Sequence, residues 1–161
     1  MDSVVSIEKE DPFSPDAARL IAALSAEIRT LYGGDGSGGF SPEDATGPSS
    51  AFVLARADGE AVGCGALRPF EKMHEVGEVK RMFVAPEWRG RGIARLILEA
   101  LEQIAAQEGY LLLRLETGLL QPEAMCLYRS AGYREIPCLS THHEHHESVC
   151  FEKPVQQSSI N

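Results

Sequence analysis

Seven short apolar runs and three helical stretches, in the order β-α-β-β-β-α-β-α-β-β, predict a mixed α/β protein with its helices folded onto one central sheet. Three observations carry that prediction. Residues 20–31 and 93–104 repeat apolar side chains at intervals of three and four, the spacing of one helix face. Short runs of β-prone residues lie between and beyond them, bounded by Gly, Pro or Asp-Gly. No internal repeat or linker divides the 161 residues, so residues 1–161 read as a single domain at roughly 150 residues per domain.

The elements follow in order. Residues 4–8 are a first strand. Ser14-Pro15-Asp16 then supplies a capping hydroxyl, a proline for the first turn and an acid at the positive end of the dipole. Leu20, Ile21, Leu24, Ile28 and Leu31 share one face of that helix, and Gly33 stops it. The Gly-, Ser- and Pro-rich stretch 33–50 is not a phosphate cradle of the P-loop kind: it follows a helix, and no Lys-Ser/Thr pair closes it. It reads as a flexible surface loop, with a lid over a substrate as the other reading. Residues 52–57 and 61–67 form a hairpin about Asp58-Gly59. Residues 78–84 are a strand stopped by Pro86. Ile93, Leu96, Ile97, Ala100, Leu101 and Ile104 form the second helical stripe, closed by Gly109. Residues 110–117 are an apolar strand, expected to be buried on both faces over its first half. Pro122 opens a short helix that Gly132 ends. Residues 133–136 and 148–153 are the last strands, and 155–161 a tail.

Fifteen basic residues against 24 acidic ones leave a formal charge of −9. That argues against a general nucleic-acid binder, which needs a basic face to displace phosphate counterions, and against docking on an anionic membrane. No apolar run approaches the roughly 20 residues of a membrane span, and the N-terminus lacks the basic start and apolar stretch of a signal peptide. A cytoplasmic location is expected. Cys64, Cys126, Cys138 and Cys150 form no C-x-x-C pair, so they are expected to be reduced, mostly buried thiols.

The chemistry is concentrated in residues 79–98. Lys80, Arg81, Arg89, Arg91 and Arg95 stand there against Glu87 alone, a local charge of +4 in an acidic chain. Arg89-x-x-Gly92-x-Ala94 sits where a strand turns into a helix. Small residues let a ligand approach the backbone, and the first-turn amides of a helix have no internal partner, so such a turn suits a small anion. A dinucleotide fingerprint fails at its third small position, which is Arg95.

This segment resembles the acetyl-CoA motif of the GNAT superfamily of N-acetyltransferases, Arg/Gln-x-x-Gly-x-Gly/Ala after a strand. Leu115-Glu116-Thr117-Gly118, Gln121-Pro122-Glu123-Ala124, Leu127-Tyr128 and Ala131-Gly132-Tyr133 resemble its later motif, and residues 148–153 its closing strand. The resemblance implies a mainly antiparallel sheet of six to seven strands with helices on both faces. It also implies direct acetyl transfer from acetyl-CoA to an amine of a small molecule or peptide, with no metal, nucleic acid or membrane required. A catalytically silent acyl-CoA sensor is the alternative. Homodimers are common in the family.

It further implies roles for single residues. The pyrophosphate of CoA is expected on the backbone of Arg89, Gly90, Arg91, Gly92 and Ala94, with Arg91 and Arg95 adding charge. The pantetheine arm is expected along Met82, Phe83 and Val84, and Gln121 where many members carry an asparagine. By spacing alone Tyr128 is a core tyrosine; the resemblance makes it the group that protonates or orients the departing thiolate. Glu78 is the candidate base, since it lies four residues before Met82 and strand alternation puts both on one face; Glu116 is the second candidate. The histidine cluster His142-His143-Glu144-His145-His146 lacks the H-E-x-x-H pattern and reads as a solvated loop, with a metal held at the strand spacing His143-x-His145 or a loop facing the substrate as the other readings. The acceptor site is expected from residues 31–50, 68–76 and 141–147.

Overall fold

The computed structural model describes residues 4–33, 40–138 and 147–157. Strands β1 (Val5–Lys9), β2 (Ala51–Ala57), β3 (Glu60–Phe70), β4 (Met73–Val84), β5 (Leu112–Gly118), β6 (Arg134–Ile136) and β7 (Ser148–Pro154) form one sheet in the order β1-β2-β3-β4-β5-β7-β6. Helices α1 (Pro15–Tyr32), α2 (Ile93–Gln107) and α3 (Pro122–Ser130) connect them. Only the β4–β5 ladder is parallel among those described.

The start signal for α1 works as its residues dictate: the Ser14 hydroxyl accepts from the Ala17 N–H at 3.2 Å, Pro15 opens the first turn and Gly33 closes the helix at φ 89°. Its inward face, Ala17, Leu20 and Leu24, packs with Phe52, Leu54 and Phe83 on one side of the sheet. On the other side α2 buries Ile93, Ile97, Leu98, Leu101 and Ile104, and α3 adds Tyr128. Each fully buried Leu or Ile contributes roughly 1.5–3 kcal/mol, so the two stripes hold the layers together. Leu96, expected in the second stripe, instead points outward at 41% exposure. Part of the stretch 33–50 is anchored: Phe40 and Ala45 are buried, and residues Pro42–Ala45 form a 3-10 turn.

Three sequence expectations need correction. β5 alternates between buried and half-buried residues instead of burying both faces over its first half: Leu113 and Leu115 point into the core while Leu112 stays partly open and Arg114, on the same face, pairs with Glu152. Cys138 and Cys150 are joined by a disulfide that ties the segment after β6 to β7, which the absence of a C-x-x-C pair could not reveal. Glu78 and Met82 do not share a face. Between Cys64 and Ala66 of β3 the β4 register advances from Phe83 to Lys80, one residue too many, and Arg81 takes up the excess at φ 57°. That bulge inverts the alternation, so Met82 packs toward α2 while Glu78 faces the α1 side with Arg68.

The parallel ladder joins residues 76–79 to 112–115 and ends there, although both strands run on. The far half of β4 therefore has an open edge in the middle of the sheet.

Candidate active site

A cavity of about 630 Å³ opens at that edge, walled by α1, the end of β4, the turn into α2, and α3. Met82, Phe83, Val84, Arg89, Gly90, Gly92, Ala94, Arg95, Gln121 and Tyr128 all line it. Arg91 and Glu78 do not.

The turn into α2 opens the helix without a side-chain cap: Gly92 is its cap residue at φ 80°, and no acid lies in its first turn. The leading amides thus keep their hydrogen-bonding capacity for a ligand, and the positive end of the dipole is not neutralised. A side chain at Gly92 would be strained by the left-handed φ. The basic residues are more dispersed than the +4 count implied. Lys80 and Arg81 belong to β4, and the Arg81 guanidinium lies over the Phe40 ring at 5.7 Å, away from the turn. Arg89 is structural: its Nε donates to the Val84 carbonyl at 2.8 Å and its guanidinium pairs with Glu27 at 2.8 Å. Arg91 stacks on Trp88 at 4.5 Å, and Arg95 donates to the Ser130 hydroxyl of α3.

Main-chain polarity on β4 follows from one bond. The Ala85 N–H donates to Val62 across the β3 ladder at 2.8 Å. By alternation, the N–H and C=O of Val84 face the open edge, which is why its carbonyl can meet Arg89.

Tyr128 is 5% exposed, with its ring against Tyr133 and Phe151 at 6.0 Å from each. Burial pushes its phenol up to about 12. Nothing among the described residues hydrogen-bonds its hydroxyl, although the residue lines the cavity. Glu78 is also buried, but on the opposite face of the bulge. Arg68 donates to it at 2.9 Å and reaches Asp44 at 2.8 Å. Glu116, which accepts from the Ser148 hydroxyl at 2.5 Å, lines a small second pocket together with Glu78, Phe70 and Arg114.

Sequence reasoning placed Tyr32 and Arg68 only within the loop ranges 31–50 and 68–76 and gave neither a contact. Tyr32 ends α1, and its hydroxyl meets the Leu120 N–H and Gln121, two residues that line the cavity; contacts 88 and 89 residues apart leave no spacing signal. The histidine cluster lies outside the described residues. Among the described residues no group of three His, Cys, Asp or Glu is arranged to hold a metal, and no helix is long and apolar enough to cross a membrane.

Residues 48–135 match the family model of the acetyltransferase (GNAT) domain. The chain is 34% identical over 151 residues to the IAA acetyltransferase of Azospirillum brasilense, covering 94% of this chain and 98% of the relative. It is 31% identical over 134 residues to the uncharacterized N-acetyltransferase YjgM of Escherichia coli, covering 76% and 77%. A solved structure from Klebsiella pneumoniae superposes with a TM-score of 0.78 at 33% identity, over 95% of this chain and 99% of that one. A GNAT family acetyltransferase from Elizabethkingia anophelis, solved with acetyl-CoA bound, shares the fold at a TM-score of 0.67 and 18% identity, over 93% and 97%.

Proposed function

The chain belongs to the GNAT acetyltransferase family, and from that premise we propose that it transfers the acetyl group of acetyl-CoA directly to an amine. The observation that carries this reading is one cavity with three features. It has an uncapped helix start for an anion, an open strand edge for an amide chain, and a buried phenol whose hydroxyl has no partner among the described residues.

In this reading the pyrophosphate sits on the amides around Gly92, with Arg95 alongside. The pantetheine arm extends β4 as an added strand, bonding to the edge-facing main chain of Met82 and Val84. The acceptor nitrogen, once neutral, attacks the thioester carbon. The Met82 N–H supports the oxyanion that forms; losing such a donor typically costs about 3–4 kcal/mol. The C–S bond then breaks, the sulfur takes a proton from Tyr128, the nitrogen gives one up to the carboxylate of Glu78 or to water, and solvent returns a proton to Tyr128. A phenol at about 12 stays protonated through the physiological range. The burial that raises it also disfavours a bare thiolate beside it, so donor and acceptor pKa values move together.

In this reading donor and acceptor come from different sides, because the bulge turns Glu78 to the α1 side of the sheet. Glu78 as base requires the amine to approach from the α1 side of the sheet, past Arg68 and toward the small pocket shared with Glu116. Tyr128 in the cavity supports transfer over a silent sensor, which needs only the phosphate turn. The test is calorimetric titration with acetyl-CoA, followed by release of free CoA thiol across amino acids, polyamines, aminoglycosides and peptides. Binding with turnover on one amine class is expected; tight binding with no turnover on any class favours the sensor, and no binding overturns both.

A further inference from the structure

We infer that Glu27 sets the affinity of the cavity for acetyl-CoA: its carboxylate engages the Arg89 guanidinium at the turn into α2 and offsets charge that the phosphates of the ligand would otherwise meet. This rests on the acetyl-CoA reading of that cavity. Among the described residues, Arg89 and Arg95 line the cavity against Glu27 and Glu123, so its wall has no net charge. Glu123 has a local role, because it lies in the first turn of α3 at the positive end of that helix. Glu27 has none of that kind. Its neighbours on α1 at intervals of three and four are Ala23, Leu24, Thr30 and Leu31, none of them a cation. Its partner comes from 62 residues away, where Arg89 donates to its Oε1 at 2.8 Å.

The guanidinium is held from three directions. Its Nε donates to the Val84 carbonyl at 2.8 Å, a terminal nitrogen meets Glu27, and the group lies 5.4 Å from the centroid of the Phe83 ring. Arg95, by contrast, rests on the neutral hydroxyl of Ser130. A paired arginine and glutamate carry no net charge at a distance, so the turn meets a polyanion with one of its cations offset. The two side chains are 36% and 32% exposed, so water and salt reach the pair and make its effect modest and dependent on ionic strength. Free CoA carries the same phosphates as acetyl-CoA. Charge that tightened the substrate would tighten the leaving product equally, a uniform gain that does not speed the chemical step.

The test is calorimetric titration of the unaltered chain and Glu27→Gln, with near-ultraviolet circular dichroism to confirm the fold. The substitution keeps an oxygen for Arg89 and removes only the charge. Glu27→Gln should bind acetyl-CoA and free CoA about two- to fivefold more tightly at low salt, the scale of one exposed charge near a phosphate group. The gain should vanish near roughly 1 M salt, where screening acts over about 3 Å. S-acetylpantetheine, which lacks the phosphates, should show no gain. If Glu27→Gln misfolds, Glu27→Ala removes the same charge and should also exceed the native affinity. Native or weaker binding of acetyl-CoA in the folded variant would overturn the inference and leave the pair as a strut between α1 and the turn. An equal gain for S-acetylpantetheine, or a gain indifferent to salt, would overturn it as well. Failure of the unaltered chain to bind acetyl-CoA would overturn the cavity reading beneath it, and is distinguishable because it appears before any substitution is made.

Discussion

Tyr128 and Gly92 separate the two halves of the proposed chemistry, and each can be removed without the other. Tyr128→Phe leaves the ring contacts with Tyr133 and Phe151 in place and deletes only the hydroxyl. We expect turnover to fall about 100-fold, the lower range for a positioned proton donor, with acetyl-CoA affinity unchanged. Equal turnover would make the tyrosine a packing residue. Gly92→Glu places strain and negative charge on the uncapped start of α2. The rise in Tm on adding acetyl-CoA, worth about 2.7 kcal/mol at a hundredfold excess over Kd, should disappear. A preserved shift would move the anion site elsewhere. Both residues were legible in the sequence because each belongs to a short contiguous motif. Glu78 was only partly so: its identity was visible, but its side of the sheet depended on a one-residue bulge at Arg81 that no pattern of polar and apolar residues announces.

Elements were more legible than their connections. The cap at Ser14, the Asp58-Gly59 turn and the two helical stripes are local physics, and apart from Leu96, which turns outward, each appears where local physics puts it. The parting of β4 from β5 and the bond between Cys138 and Cys150 are properties of distant segments meeting, which composition and spacing do not encode. The disulfide closes a loop of sequence separation 12, and a loop of that length constrains the unfolded chain by about 3 kcal/mol. Cys138→Ser should lower stability by that order in denaturant titration under oxidising conditions. The same substitution should have little effect in excess dithiothreitol, where the native bond is reduced as well. Equal stability under oxidising conditions would mean the bond adds nothing to the fold. Cys150 lines the small pocket holding Glu78 and Glu116, so the oxidised and reduced proteins should also be compared for acceptor KM.

At the scale of the whole molecule, three buried tyrosines set the alkaline limit of the fold. Burial pushes Tyr110 and Tyr128 up to about 12, and Tyr133 is raised further by burial and by Glu102, to which its hydroxyl donates at 2.8 Å. In the unfolded chain all three ionise near 10. Between about pH 10 and 12 the unfolded state therefore binds fewer protons than the native state, and stability falls as pH rises. Below pH 10 these groups are protonated in both states and contribute no slope. Urea midpoints measured from pH 8 to 12 should be insensitive to these tyrosines up to about 10 and drop steeply beyond it. Tyr110→Phe should leave a shallower drop, and an unchanged slope would remove Tyr110 from the account. The net charge of −9 was readable from composition, yet it hid the local pattern: Arg89, Arg91 and Arg95 gather at one turn but each is already engaged by Val84 and Glu27, by Trp88, or by Ser130. The proposed anion site therefore rests more on main-chain amides than the charge count suggested.

The parting of β4 from β5 has a consequence for self-association. A sheet edge normally invites pairing with any passing strand, including one from a second copy of the chain, and proteins blunt their outer edges for that reason. Here the outer strand β6 is three residues long and carries Arg134 in the open. The inner edge of β4, by contrast, offers main-chain groups for pairing, but at the bottom of a cavity walled by three helices. A thin extended ligand can reach it, whereas a strand flanked by its own sheet is too broad to enter. The fold can thus keep an adhesive backbone edge permanently available without exposing it to aggregation.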